Sequence, residues 1–500
     1  MKKELTRTLA LFLALLMSSA AFSCGDTGAP EVTTDGQNET TTAEETKAED
    51  PDSRQNAKDD LPELNFDGAV IRVLSRGGDN DTKIEFGVEE SSGDVVEDAV
   101  YARDIAVQER LNVRIESIVT DKTRHYTNRD LVSQSVLAGS DEYDINADAL
   151  YGTMPLVLEG MFTDINKLNY IDPSKPWWNG SLTEELGRIG DGLFVVTGEL
   201  ALSSISGVFC TFFNKTIFGD TFTDDIYKVV NDGKWTMDKL HEYCQSTYRD
   251  LNGDAKADQD DFYGLYVRNK MTLASDAFLG GAKIDPVTDT GNGIKLTLVN
   301  DRVVEYAGKL KALVYDETST CRGEYNDDTI MTKMNNSSTI FLPWMLGAVE
   351  NLREMKDDFG IIPIPKLDEN QADYSAYVHN GSTVFTIPKT CQNPDMAAAF
   401  LEAMSAESYR NVVPAYFGTA IKVKYSRDEP TSQMLDLIVA STYLNLPYVF
   451  SAYIGSYVDV YRELFTGADK CDSVVSLMTS KETAMNAKLQ EVMEIYSKLK

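Results

Sequence analysis

The amino-acid sequence predicts an α/β fold in two lobes, and three observations carry that expectation. Short apolar runs of strand character alternate with amphipathic stretches of helical period, the pattern of mostly parallel sheets covered by helices. The chain has 500 residues, more than one core usually supports. Its most informative stretch, 338–366, reads strand, aromatic, helix, strand. Thr339–Leu342 is a buried strand stopped by Pro343, and Trp344 stands directly after the stop. Gly347–Lys356 then sets Val349, Leu352 and Met355 on one side of a helix. Phe359–Ile364 is a second strand, closed by Pro363 and Pro365. Ligands of α/β folds sit at strand ends, so Trp344 is a candidate binding residue; the plainer alternative is a core indole.

Hydrophobic residues make up 42% of the chain and aromatics 10%, ample for burial. A formal charge of −32 excludes nucleic acid as a partner, because phosphates need Lys and Arg. It suits a neutral or cationic ligand and a self-repelling surface. His125, His241 and His379 are the only histidines, which speaks against His-based catalysis and His-rich zinc sites. No nucleophile elbow, zinc-protease motif or phosphate loop occurs, and no catalytic residue is assigned. Carboxylate pairs are too common in so acidic a chain to signal glycoside hydrolysis. Apart from Cys24, the cysteines 210, 244, 321, 391 and 471 are odd in number and form no disulfide framework. Cys210, within an apolar run, reads as a buried thiol.

At the N-terminus Lys2, Lys3 and Arg7 precede the apolar run Leu9–Met17 and a small-residue exit. Residues 1–23 therefore read as a signal peptide, its centre too short to span a bilayer. Ala21-Phe22-Ser23-Cys24 resembles a bacterial lipobox, which implies acylation of Cys24, palmitate-type chains and a membrane anchor; each buried methylene adds roughly 0.8 kcal/mol. Ala21 stands where Leu is more usual, which leaves plain secretion as the alternative. Residues 24–62 form an acidic, Thr-rich linker, and Gly25–Asp60, without one aromatic, is expected to be disordered.

Ala69–Leu74 alternates like a strand and is followed by the loop Ser75–Gly78. Asp94–Leu111 is an amphipathic helix, Val113–Val119 a strand, Arg129–Leu137 a helix and Tyr143–Asp148 a strand leading into 149–152. Trp177 and Trp178 cannot both point inward on a strand, so one is expected exposed beside Asn179, a flat face suited to a pyranose ring; both packing under the loop is the alternative. Leu193–Thr197 is an apolar strand ending at Gly198-Glu199, and Gly207–Phe213 a central strand. Thr236 caps a helix behind Trp235, a packing residue.

Asp250, Asn252, Asp254, Lys256, Asp258 and Asp261 carry the sharpest motif. Oxygen side chains at loop positions 1, 3, 5 and 9, a backbone carbonyl at 7 and a carboxylate at 12 are the spacing that wraps a loop round Ca²⁺. Ala255 at position 6 and the short Asp261 at position 12 depart from it, Asp260 could substitute for Asp261, and an acidic turn is the alternative. A structural calcium ion is the expectation. Beyond it, Asn300–Leu313 is a helix, Tyr377–Ile387 returns across the molecule, and Asn393 with Pro394 starts the helix Met396–Met404. Ser408–Pro414 reads as a helix, Tyr416–Thr419 as a loop and Gln433–Thr442 as a helix. Tyr448–Phe465 is a helix carrying Tyr453, Tyr457 and Tyr461, and Ser480–Leu499 is the last helix.

Pro343-Trp344 followed by Phe359-Gly360-Ile361-Ile362-Pro363-Ile364-Pro365, with 161–165, Trp177-Trp178-Asn179 and Asn214-Lys215, resembles the extracellular solute-binding proteins of ABC importers, the family-1 group that includes maltose-binding protein. The order of elements follows that family from about Leu64 to Lys500. The resemblance implies the periplasmic-binding-protein-like fold: two α/β lobes joined by hinge segments around a ligand cleft. The first lobe would be 63–197 plus 383–440, the second 198–382 plus 441–500. It implies ligand contacts from Arg76, Asp148 and Tyr151 on cleft loops, from Trp177, Trp178 and Trp344 by stacking, from Glu199, and from Tyr453 or Tyr457. Asp148 as a helix cap and a Tyr stripe in the core are the plainer alternatives. The implied protein is no enzyme but a monomeric receptor, lipid-anchored on the extracellular face of a bacterial cell membrane. It would capture a solute, an oligosaccharide, and deliver it to ABC permease subunits. A cell-surface glycan-binding or adhesion protein without transport, or a secreted glycan-degrading enzyme, are the alternatives.

Overall fold

The computed structural model describes residues 54–77, 85–120, 127–268, 273–291, 293–323, 330–352, 354–421 and 429–499. The expected signal peptide, Cys24 and the expected linker up to residue 53 lie outside the described residues. The end of the expected disordered linker is docked. Arg110 Nη1 and Nη2 donate to Asp59 at 2.6 and 2.8 Å, and Arg54 grips Glu199 at 2.6 and 2.9 Å. The missing apolar area that predicted disorder says nothing about charge complementarity, and that is what seats this segment.

The strands are β1 (Ala69–Arg76), β2 (Val113–Thr120), β3 (Ile145–Ala149), β4 (Phe209–Asn214), β5 (Tyr263–Arg268), β6 (Val287–Asp289), β7 (Ile294–Leu296), β8 (Thr320–Gly323), β9 (Thr339–Met345), β10 (Phe359–Ile362), β11 (Ala376–Tyr377), β12 (Thr383–Thr386) and β13 (Thr442–Tyr443). One sheet has the order β12-β3-β1-β2, the other β10-β4-β9-β5-β8. In the first, β1 runs parallel to β2 and β3, and β12 closes the edge antiparallel to β3. In the second, β5 is parallel to β8 and β9, while β4 runs antiparallel between β9 and β10. β3 and β4 are buried along their whole length, as strands covered on both faces must be. The chain builds most of the first sheet, crosses to the second, and returns at β12. The result is two α/β lobes.

Helix starts follow the sequence closely. Asp94 accepts the N–H groups of Val96 and Glu97, Thr236 that of Lys239, Asn300 that of Val303 and Asn393 that of Met396, with Pro394 in the first turn. One apolar cluster includes Ile71, Trp235, Phe385 and Tyr457. A second gathers Phe212, Trp344, Val349 and Leu435 with Val96 and Val100 of the first lobe. Cys210, Cys244, Cys321, Cys391 and Cys471 are buried free thiols.

Several expectations are corrected. β9 does not stop at Leu342 but runs through Pro343 to Met345. Its pairing with β4 continues there, whereas its pairing with β5 ends at Phe341. A proline is tolerated where a strand has lost one neighbour. The helix expected at Gly347–Lys356 is a 3₁₀ helix, Leu346–Leu352; its buried Leu346, Val349 and Leu352 recur every third residue, the 3₁₀ period. Leu193–Thr197 joins the sheet only through the bridge of Val196 to Phe385. The Tyr448–Phe465 helix is interrupted between Val449 and Tyr457, where Gly455 and Ser456 take φ of 89° and 59°. Tyr416–Thr419 belongs to a π-helix, Tyr416–Ile421. The helix Glu429–Ala440 packs on β10 of the second sheet.

Candidate functional site

The site is built where the two crossings meet. Val196 pairs with Phe385 and Val208 with Val378, both antiparallel. Between these bridges lies a polar knot. Thr197 Oγ1 donates to the Thr383 carbonyl at 2.7 Å, and Thr383 N–H to Ser203 Oγ at 2.9 Å. Glu85 closes it: Oε1 accepts Ser203 N–H at 3.0 Å and its hydroxyl at 2.6 Å, and Oε2 accepts Thr383 Oγ1 at 2.7 Å. Burial pushes the Glu85 carboxyl up to about 7, against the pull of those donors.

Trp177 and Trp178 are seated on the first crossing. Asn179 N–H donates to Thr197 O at 2.8 Å and Glu199 N–H to Trp177 O at 2.9 Å, on either side of the Trp178–Gly198 bridge. This is a turn and not a strand, which is why both indoles are buried, 0% and 6% exposed, instead of one being turned out. Residues Trp177 and Trp178 nevertheless border a groove of about 270 Å³, which Asn179, Glu199, Ser204 and Phe417 also line. Its lining comes from 176–181, 198–208, Val378, Phe417 and 439–442. Aromatic faces beside a few polar groups are the usual make-up of a small-molecule site.

A larger hollow of about 500 Å³ lies beside Asp224, Lys228, Lys239 and Glu242. It has no aromatic face, and two of its lysines are already paired, Lys228 with Asp232 and Lys239 with Glu242, both at 2.9 Å.

Arg76, Asp148 and Tyr151 form a second group at the end of the first sheet. Arg76 Nη2 donates to Gly381 O at 2.5 Å, and its Nε lies 3.8 Å from Asp148 Oδ1. Burial pushes the Asp148 carboxyl up to about 6, and the Arg76 guanidinium opposes that. Asp148 Oδ1 also accepts Ala149 N–H at 2.7 Å, while Tyr151 N–H donates to Asn380 O at 3.1 Å. Trp344 stands near the end of β9, 9% exposed, with the Arg268 guanidinium 5.6 Å from its ring centre; it does not line the groove. The two tyrosine candidates stand elsewhere. Tyr457 is fully buried in an aromatic cluster with Tyr461, and Tyr453 O–H donates to Glu491 on the C-terminal helix at 2.8 Å.

The residue missed in the sequence is Glu402. Its Oε2 accepts Trp178 Nε1–H at 2.9 Å and Asp172 N–H at 3.3 Å, so it anchors the tryptophan turn from behind. The signal was there: a lone carboxylate within the apolar run Met396–Ala406 must find a polar partner.

In the 250–261 loop the oxygens serve the loop itself. Asp250 accepts the N–H groups of Gly253 and Ala255 at 2.6 and 2.9 Å, and Asp261 those of Leu251 and Asp258 at 3.0 and 3.3 Å. Tyr248 O–H donates to Asp261 at 3.0 Å. Ala255 takes φ of 59°, the conformation for which calcium loops use glycine at this position. Among the described residues no three acidic, His or Cys side chains converge as metal ligands. The donor types fit calcium, but the arrangement shown does not gather them.

No family model matches the chain, and no curated protein matches it in sequence. Solved structures do match in three dimensions. The ABC substrate-binding protein Lmo0181 from Listeria monocytogenes, in complex with cycloalternan, is 12% identical with a TM-score of 0.53, over 85% of this chain and 100% of that one. The galacto-N-biose-/lacto-N-biose I-binding protein of the ABC transporter from Bifidobacterium longum, in complex with lacto-N-biose, is 11% identical with a TM-score of 0.51, over 85% and 98%. The sugar-binding protein MalE from Xanthomonas citri is 11% identical with a TM-score of 0.52, over 86% and 98%. The chain thus has the maltose-binding-protein-like fold, two α/β lobes joined by paired crossing segments.

Proposed function

We propose that this protein is the sugar-binding receptor of an ABC importer, taking an oligosaccharide in the groove walled by Trp177 and Trp178. The observation that carries the reading is that groove, lined by Trp177, Trp178, Asn179, Glu199 and Ser204 beside the crossing, in a fold whose solved examples include sugar complexes. Stacking would hold a pyranose face and the polar groups its hydroxyls. Rotation about 197–208 and 378–383 would close the lobes on the sugar, and the closed form would be handed to a permease without chemical change. Arg76, Asp148 and Tyr151 extend the same reading to a second part of the cleft, and Trp344 to a third. Lipidation of Cys24 would hold the receptor at the outer face of the membrane. No helix among the described residues is long and apolar enough to cross a membrane. Calcium at Asp250–Asp261 belongs to the proposal as a structural ion, which would have to draw the carboxylates off the loop amides. Calorimetric titration with a panel of oligosaccharides tests the reading: saturable heat with at least one glycan supports it, and none with any glycan rejects the sugar assignment. Turnover of a polysaccharide would instead favour the enzyme alternative.

A further inference from the structure

The helix Pro394–Glu407 is buried all round from Met396 to Ala406, and Glu402 is the only charged residue on that run. Glu402 Oε2 is satisfied by Trp178 and Asp172, whereas Oε1 is buried without a partner. Trp177 Nε1 is also buried without a hydrogen bond of ordinary geometry, although its indole lies near enough to the same carboxyl to pull its pKa down. A donor and an acceptor, neither in a well-formed hydrogen bond, therefore lie near one another behind the groove.

We propose that Glu402 is the positioning residue of the tryptophan wall, holding Trp178 through Oε2 in either protonation state and drawing Trp177 Nε1–H onto Oε1 when the carboxyl ionises. The inference rests on the reading of the groove as the ligand site. Ionisation sends one proton to solvent and turns Oε1 into a charged acceptor, the stronger kind of hydrogen-bond partner. The charged groups facing Glu402 are on the 172–178 segment. Asp172 pushes the carboxyl pKa up, and Lys175, 5.9 Å above the Trp177 ring, feels Glu402 as an attractive charge. Tyr409 meets Trp177 edge-on at 6.0 Å from the other side. Burial is the largest influence and raises the Glu402 carboxyl to about 7, with the Trp178 indole, the Asp172 N–H and the Trp177 indole opposing in that order. The change in Trp177 is therefore expected in the neutral range, where a groove ligand would sense it.

Fluorine NMR of the protein grown with 5-fluorotryptophan tests this without any sugar. Its 4 tryptophans are assigned with Trp177→Phe, Trp178→Phe and Trp235→Phe. The Trp177 resonance is expected to shift with a single midpoint near neutral pH. Glu402→Gln should flatten that titration and leave Trp178 in place, because the amide oxygen still accepts its N–H while the amide nitrogen accepts nothing. Glu402→Ala should displace both resonances; if it does not fold, the Gln variant decides alone. A Trp177 resonance that is flat in the wild type, or still titrates in Glu402→Gln, overturns the proposal. Failure of the glycan titration would leave this result standing, so the two readings fail separately.

Discussion

A Cβ on residue 198 would lie 1.9 Å from the carbonyl oxygen of Trp177, so Gly198 is what allows the tryptophan turn to close onto the first crossing. Gly198→Ala must push the two segments apart. It is expected to cost about 1–3 kcal/mol, as overpacking of a tight site does, and to weaken binding in the groove. Thermal unfolding checks it: an unchanged midpoint would mean that the turn is not seated as described.

Asp276 is fully buried and accepts from Arg462 Nε and Nη2 at 2.9 and 2.6 Å. Asp276→Ala leaves a guanidinium with part of its charge unanswered, a loss of about 3–5 kcal/mol for a broken buried pair. Replacing both residues with apolar side chains should recover much of it. Denaturant unfolding of the single and double variants measures the difference, and equal losses would contradict this account of the pair.

Glu85 gives the crossing a pH dependence of definite sign. Its folded pKa of about 7 lies above the ordinary carboxylate value because of burial. The folded state therefore holds a proton that the unfolded chain has released, and that stabilisation is lost as pH rises through about 7. The wild type should lose melting temperature between mildly acidic and mildly alkaline pH relative to Glu85→Gln. Parallel curves for the two proteins would show that Glu85 does not titrate in the knot.

Calcium is expected to raise the melting temperature, and EDTA to reverse the gain. At a concentration 100-fold above its dissociation constant an ion bound only to the folded state adds about 2.7 kcal/mol. Asp250→Asn and Asp261→Asn should abolish the response. Indifference of the wild type to calcium would leave the loop as the self-bonded turn its hydrogen bonds already make.

Much of the frame was legible because it rests on local chemistry. Asp94, Thr236, Asn300 and Asn393 announce helices by capping, and the mostly apolar run Gly207–Phe213 announces a central strand. The site was legible only in part. Trp177, Trp178 and Glu199 come together in the groove, and Arg76 meets Asp148. Trp344 stands apart from the groove; Tyr453 lies within, and Tyr457 directly after, a helix break at Gly455 and Ser456 that helical spacing does not reveal. Glu402 reaches Trp178 from 224 residues away, a pairing that no local pattern encodes.

The most direct measurement is calorimetric titration of the wild type and Trp178→Ala, side by side, with the same oligosaccharide series. The account predicts saturable binding of at least one sugar by the wild type and a loss of at least about tenfold in affinity, roughly 1.4 kcal/mol, in the variant. Sugar bound equally well by both proteins would remove the tryptophan-walled groove from the account.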